Sequence, residues 1–259
     1  MLRLNADVGE SFGIWSMGLD TELIPWLDQA NIACGFHASD PLIMQKTVQL
    51  TLTHSVSIGA HPSYPDLQGF GRRSLSITNA ELIALLRYQI GALQAIAQAE
   101  GAKVDYVKPH GALYNDMMKN PELLLAVMQA LDGLNQQQDS PLALMLLCQA
   151  DNQSVATLAA PYQLPLIFEA FADRRYLANG QLSPRSQPDA VFHQPEQILQ
   201  QGLSLAQFQQ VETAEGPLTL AADSLCVHGD NASSVAVVAE LKQALLALKD
   251  AAPNASRVR

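Results

Sequence analysis

Val104-Asp105-Tyr106-Val107-Lys108-Pro109-His110-Gly111-Ala112-Leu113-Tyr114-Asn115 contains an apolar run that stops abruptly at a charged, glycine-containing segment, and a helical stretch opens soon after at Asn120–Pro121. The same rhythm recurs along the chain. Comparable runs lie at Leu2–Leu4, Asn31–Cys34, Val56–Ile58, Leu142–Leu147, Leu166–Phe168 and Ser224–Val227. Between them stand helix signals. Asp40 is an N-cap before Pro41 and predicts a helix to about residue 54. Thr78 and Glu81 form a capping box that opens a run to about residue 100, where Gly101 stops it. The Asn120–Pro121 helix is expected to end near Asp132–Gly133. Asp151 can cap a short helix, Pro195–Glu196 opens another, and a last one is expected from about Asn231 to Leu248. Seven apolar runs alternating with helices read as βα units around a parallel sheet, within one domain over 1–250 and a frayed tail over 251–259. Periodicity alone leaves a barrel and a doubly wound open sheet as alternatives.

The chain has 259 residues, of which 48% are hydrophobic, enough for a large α/β core and too apolar for general disorder. Its 15 basic and 25 acidic residues give a net charge of −10, which argues against tracking a nucleic-acid backbone. Charged residues are only 15%, against roughly 25% in ordinary domains, so a local cluster of them is informative. Three scattered cysteines, no apolar N-terminal leader and no run of the ~20 residues that spans a bilayer read as a soluble, cytoplasmic protein.

The ends of the apolar runs carry the chemistry. The first run leads into Asn5, Asp7 and Glu10, the second into His37, the third into His61 and the fourth into Lys108, His110 and Asn115. The sixth leads into Glu169, Asp173 and Arg174, and the seventh into His228 and Asp230. In a parallel α/β fold all strand C-termini share one face, where active sites are built. Asp7, Glu10, His37, His61, Lys108 and His110 are therefore candidate catalytic residues. Asn5, Asn115, Glu169, Asp173, Arg174, His228 and Asp230 are candidates for substrate contact. Arg72 and Arg73 follow Gly69-Phe70-Gly71, which suits a loop closing on an anion; the bland alternative is a solvated surface pair. Asp173–Arg174 could equally be a structural ion pair and Asp230 a helix cap. His54 and His193 read as structural or surface residues, and Cys34 as a small buried one.

Two chemistries could use such a ring: metal-assisted hydrolysis with Asp7, His37, His61, His110 and His228 as ligands, or metal-free acid–base work on a polarised carbonyl. No tight metal-ligand spacing selects the first, so a divalent metal is a candidate cofactor only. There is also no P-loop, no dinucleotide fingerprint and no nucleophile elbow. Nothing in the chain declares where a nucleotide would bind.

Asn31-Ile32-Ala33-Cys34-Gly35-Phe36-His37-Ala38, Gly59-Ala60-His61-Pro62, Gly69-Phe70-Gly71-Arg72-Arg73 and Val107–Asn115 resemble the LamB/YcsF family, as do Leu4–Gly13, Glu169–Tyr176 and Val227–Asp230. The resemblance runs from about residue 3 to 248. It implies a seven-stranded parallel β/α barrel similar in shape to glycoside hydrolases and polysaccharide deacetylases. It further implies ATP-dependent opening of 5-oxo-L-proline to L-glutamate, with ADP and phosphate released, by one component, termed A, of a complex that also holds B and C subunits. ATP is then a co-substrate that the partner subunits could bind. Ser39 stands where the family pattern usually has glycine, and Ala6 where cysteine is common. The runner-up on the same barrel is a metal-dependent deacetylase or amidohydrolase, and a non-enzymatic reading is a subunit that only presents oxoproline.

Overall fold

The structure, a computed structural model, describes residues 2–185, 187–228 and 232–251. Nine strands and eight α-helices are described, in the order β1 (Arg3–Val8), α1 (Asp20–Leu23), β2 (Gln29–Ala33), α2 (Pro41–Thr53), β3 (Ser57–His61), α3 (Asn79–Ala99), β4 (Val104–Val107), α4 (Gly111–Met117), α5 (Pro121–Asn135), β5 (Ala143–Leu147), α6 (Gln153–Ala159), β6 (Leu166–Phe171), α7 (Pro195–Phe208), β7 (Gln210–Thr213), β8 (Gly216–Thr219), β9 (Ser224–Cys226) and α8 (Ala232–Ala251).

All seven apolar runs become strands, and they close into a barrel in the order β1-β2-β3-β4-β5-β6-β9. Every pairing is parallel, and closure comes from β9 lying between β6 and β1. That pairing excludes the open sheet. β7 and β8 form a separate antiparallel hairpin, which the sequence reading missed because these two short strands are largely polar.

The caps act as expected. The Asp40 carboxylate accepts the N–H groups of Leu42 and Ile43, and Thr78 and Glu81 satisfy each other's backbone reciprocally. On α3, Leu82, Leu86, Ile90, Leu93 and Ala97 fall on one face and are buried. Each large side chain there contributes about 1.5–3 kcal/mol of burial. Two helix ends differ from the expectation. α5 runs through Gly133 to Asn135, because that glycine is a packing residue rather than a stop. A Cβ there would lie 2.0 Å from Arg87 Nη2, whose guanidinium donates to the carbonyls of Gln129 and Ala130. α8 continues to Ala251, three residues past the expected end; its expected start at Asn231 and the tail from residue 252 lie outside the described residues.

Alternation along the strands sends Leu4, Ala6, Val8, Ile32 and Leu225 toward the helices, all buried. The opposite register fills the barrel itself, and it is polar. Asn5 donates to Ser224 Oγ at 2.8 Å, Asn31 donates to Asn5 Oδ1 at 2.8 Å, and Tyr106 donates to Asn31 Oδ1 at 2.7 Å. Gly59 makes room for this layer, since a Cβ would lie 2.2 Å from the Tyr106 ring. Ser39, the departure from the family pattern, sits at φ +75°, a region that favours glycine.

Candidate active site

β1 extends to Val8, beyond the run read from the sequence, so Asn5 and Asp7 are strand residues pointing into the barrel. Asp7 joins the barrel floor to the pocket above it. Its Oδ1 accepts from Asn31 Nδ2 at 2.8 Å and from Lys108 Nζ at 2.9 Å. Its Oδ2 lies 3.3 Å from His61 Nε2 and 3.9 Å from His228 Nε2. Lys108 also pairs with Glu169 Oε1 at 2.8 Å, and Tyr114 donates to the other Glu169 oxygen at 2.9 Å. Burial alone would raise the Asp7 carboxyl, but His61 and Lys108 outweigh it and hold it well below the usual carboxylate range. Burial likewise opposes the Lys108 charge, yet Asp7, Cys226 and Glu169 lift its affinity for a proton well above that of a free lysine.

A histidine cluster forms the rim. His61 Nδ1 lies 2.6 Å from the Lys108 carbonyl oxygen, and His110 Nε2 lies 2.9 Å from the Phe70 carbonyl oxygen. A carbonyl only accepts, so each of these nitrogens carries the hydrogen. The opposite nitrogens, His61 Nε2 and His110 Nδ1, face each other at 2.9 Å. His37 stacks on His110 with ring centroids 3.8 Å apart, and its Nε2 is 3.2 Å from Glu10 Oε1. Burial, with His61 beside it, keeps His37 well below the ordinary imidazole range. Burial, with His37 and His61, does the same to His110. Glu10 is raised by burial, an effect that His110 opposes and Asp7 reinforces.

Backbone geometry pins this rim. Gly71 has φ +63°, and a Cβ there would lie 2.9 Å from both His110 Cδ2 and His37 Cβ. Its carbonyl accepts the Ala112 N–H at 2.8 Å, locking the Phe70 loop onto the first turn of α4.

Opposite the rim, His228 Nδ1 is 2.6 Å from Asp173 Oδ2. Burial disfavours the imidazolium, but Asp173 outweighs burial and raises the His228 proton affinity. Arg185 Nη2 lies 3.3 Å from His228 Nε2. Arg174 donates to the carbonyls of Ala190 and Ser183, and burial lowers it to about 10.

These groups line one pocket of 810 Å³, within the ordinary size range for small-molecule sites. Asp7, Glu10, His61, Lys108, His110, Arg72, Asn115, Arg174 and His228 all border it. Behind its walls, His37 backs His110, Asp173 backs His228, and Asn5 and Glu169 lie in the barrel floor. Arg73 is not brought in; it pairs with Asp66 on the outside of the loop. Asp230 lies outside the described residues. Arg185 and Phe171 are among the lining residues not proposed from the sequence. Arg185 sits in the long segment after β6, whose length was the available signal, and Phe171 lies in the strand-end segment Glu169–Tyr176.

One donor atom from each of Glu10, His37, His61 and His110 lies within 4.8 Å of every other, so this set could hold a metal ion. Among the described residues no helix is long and apolar enough to cross a membrane.

A family model described as the LamB/YcsF family matches residues 2–257. The chain is 52% identical over 245 residues to the 5-oxoprolinase A subunit of Vibrio cholerae serotype O1, covering 94% of this chain and 97% of that one. It is 55% identical to the protein of the same name from Pseudomonas fluorescens (strain Pf0-1), covering 94% and 96%. Among solved structures it is similar to a lactam utilization protein from Thermus thermophilus, with TM-score 0.85, 37% identity and coverage of 96% and 97%. With the family motifs converging on a single pocket, the chain belongs to the LamB/YcsF family.

Proposed function

We infer that this protein is the A subunit of a 5-oxoprolinase, a cyclic amide hydrolase that opens 5-oxo-L-proline to L-glutamate. The observation that carries the reading is 52–55% identity, over 94% of the chain, to proteins of that name. Those names support the oxoprolinase over the deacetylase reading. We propose further that the reaction is coupled to ATP hydrolysis to ADP and phosphate, and that the chain works in a cytoplasmic complex with B and C subunits.

An unstrained five-membered lactam is a poor electrophile. Phosphorylation of its carbonyl oxygen by ATP, on or with the partner subunits, would make the ring carbon receptive to water. The pocket offers what the following step needs. Arg72, Arg174 and Arg185 line the wall where the substrate carboxylate and the phosphoryl oxygens can be held. Lys108, fixed by Asp7 and Glu169, places a permanent positive charge against oxygen charge developing at the attacked carbon. The rim of Glu10, His61 and His110 offers acceptors that orient a water and take its proton. As the C–N bond breaks, the nitrogen takes a proton from His228, which Asp173 keeps protonated to higher pH, and a second water then cleaves the resulting acyl phosphate to L-glutamate and inorganic phosphate.

The test is glutamate formation from 5-oxoproline and ATP, by the purified chain alone and together with B and C subunits from the same source. Glutamate only with all three, and none with His61→Ala in that assembly, is the expected result. A His61→Ala assembly with wild-type turnover removes the assigned role of the rim. Absence of glutamate from every combination overturns the substrate.

A further inference from the structure

The rim contains a contradiction that protein atoms alone do not resolve. His61 Nδ1 and His110 Nε2 each donate to a backbone carbonyl, so in neutral rings His61 Nε2 and His110 Nδ1 both carry lone pairs. Yet these two nitrogens are 2.9 Å apart and buried. Glu10 Oε1, a third acceptor, lies 3.7 Å from His110 Nδ1. With Asp7 Oδ2 also 3.3 Å from His61 Nε2, electron-rich atoms converge on this pair of nitrogens, and something positive must sit among them. The candidates are a shared proton and a metal cation.

The surroundings separate the two. A shared proton bridges only the two nitrogens, whereas a cation engages both of them and the Glu10 oxygen together. A divalent cation takes up the lone pairs that these two rings turn toward each other. It also requires each ligating histidine to be fixed through its outer N–H, and the Lys108 and Phe70 carbonyls do that here. The spacing agrees as well. Ligand bonds of about 2.05 Å place adjacent donors about 2.9 Å apart in an octahedral shell and about 3.3 Å apart in a tetrahedral one. The 2.9 Å between His61 and His110 matches an octahedral edge, and with every donor of the set within 4.8 Å of the others, Glu10 closes on the ion by a side-chain movement.

We propose that His61 Nε2, His110 Nδ1 and Glu10 Oε1 form a binding site for one divalent first-row transition ion, with His37 holding Glu10 in place. Two imidazoles with a carboxylate suit zinc, iron or nickel better than magnesium or calcium. Bound there, such an ion would supply Lewis acidity and make a coordinated water more acidic. The inference deepens the assignment of the rim as the place where water is held. Its chemical purpose rests on that reading, but the binding does not.

The experiment uses the full chain without partners or substrate. The protein is stripped with dipicolinate, checked by circular dichroism and titrated with Zn²⁺ and Mn²⁺ alone by calorimetry. Metal content of the untreated protein is read by mass spectrometry, and the visible spectrum of the Co²⁺ form reports nitrogen and oxygen ligation. One ion per chain is expected, with a dissociation constant below about 1 μM for Zn²⁺. His61→Ala and His110→Ala should each weaken it at least about 100-fold, and Glu10→Gln, which keeps the side-chain shape should the histidine variants fail to fold, about tenfold or more. The exposed His193→Ala is the control and should bind as wild type. Binding weaker than about 1 mM by folded wild-type protein overturns the proposal in favour of the shared proton. So does unchanged affinity in the folded rim variants, which would place the ion elsewhere. Glutamate formation by the full complex is a separate readout, so failure of the ion site and failure of the oxoprolinase assignment are distinguished.

Discussion

Replacing Lys108 by methionine tests whether charge pairing holds the barrel floor together. Lys108 Nζ is 2.9 Å from Asp7 Oδ1 and 2.8 Å from Glu169 Oε1, and the Lys108 and Glu169 side chains are 3% and 0% exposed. At an effective dielectric near 20, each contact is worth about 6 kcal/mol of gross attraction. Desolvation of the three ions, several kcal/mol each, cancels much of that, so the net worth of the cluster is small. Removing only the cation is different, because two carboxylates then stay buried without it. The expected cost is about 3–5 kcal/mol, a large share of the roughly 5–15 kcal/mol that holds a domain folded. Urea unfolding followed by circular dichroism at pH 7.5 measures it. Lys108→Met/Glu169→Gln should recover about half of the loss, since the Tyr114 hydroxyl can still donate to the amide oxygen. The pH dependence has a definite sign. In the wild type Asp7 is held below its ordinary value, so its stabilisation is present above about pH 4 and is lost as pH falls through the depressed value. In the variant Asp7, without the lysine, takes up a proton more readily, so the penalty shrinks between about pH 7.5 and 5. A loss under about 1 kcal/mol, or one that stays flat over that range, would mean that packing of the lysine stem mattered and its charge did not.

Three further outcomes follow from particular contacts. Asp173→Asn removes the group that raises His228, so the alkaline limb of kcat/KM in the assembled enzyme should move to lower pH and kcat should fall about 10²–10⁴-fold; an unmoved limb denies His228 the role of proton donor. Gly71→Ala should cost about 1–3 kcal/mol and most of the activity, because its Cβ meets His110 and His37 at 2.9 Å in a left-handed conformation; thermal melting and turnover check both. Thr78→Ala removes the α3 capping box, which does not line the pocket, and should cost about 1 kcal/mol in urea with turnover unchanged.

The barrel strands and most helix starts could be read in advance because their causes are local: apolar runs, an Asp–Pro cap and a Thr–Glu capping box each act over a few residues. Gly133 misled for the complementary reason. Its meaning depends on Arg87, which is far away in sequence and adjacent in space. The barrel could not be chosen over the open sheet, since closure rests on β9 entering between β6 and β1 and no local pattern encodes that. The site divides the same way. Strand-end position brought Asp7, Glu10, His61, Lys108 and His110 forward, and all of them border one pocket. Arg73 looked the equal of Arg72 in sequence, but the loop geometry gives Arg73 to Asp66.

The polar barrel interior explains why so many motif residues lie in strands rather than in loops. Asn5, Asn31, Tyr106 and Ser224 form a hydrogen-bonded layer beneath Lys108, and Asn5 also accepts from Lys108 at 3.3 Å. An apolar layer would remove the Asn5 acceptor, and the position of Lys108 would then depend on Asp7, Glu169 and the weaker contact to Cys226 Sγ. A satisfied network fixes each side chain by several partners, so the charge is positioned before substrate arrives and little reorganisation remains for the reaction. Asp7 carries that order upward, with one oxygen in the network and the other facing His61 and His228. The proton positions of the rim are therefore coupled to the floor through a single carboxylate. Substitutions in the barrel interior should then act on catalysis as well as on stability.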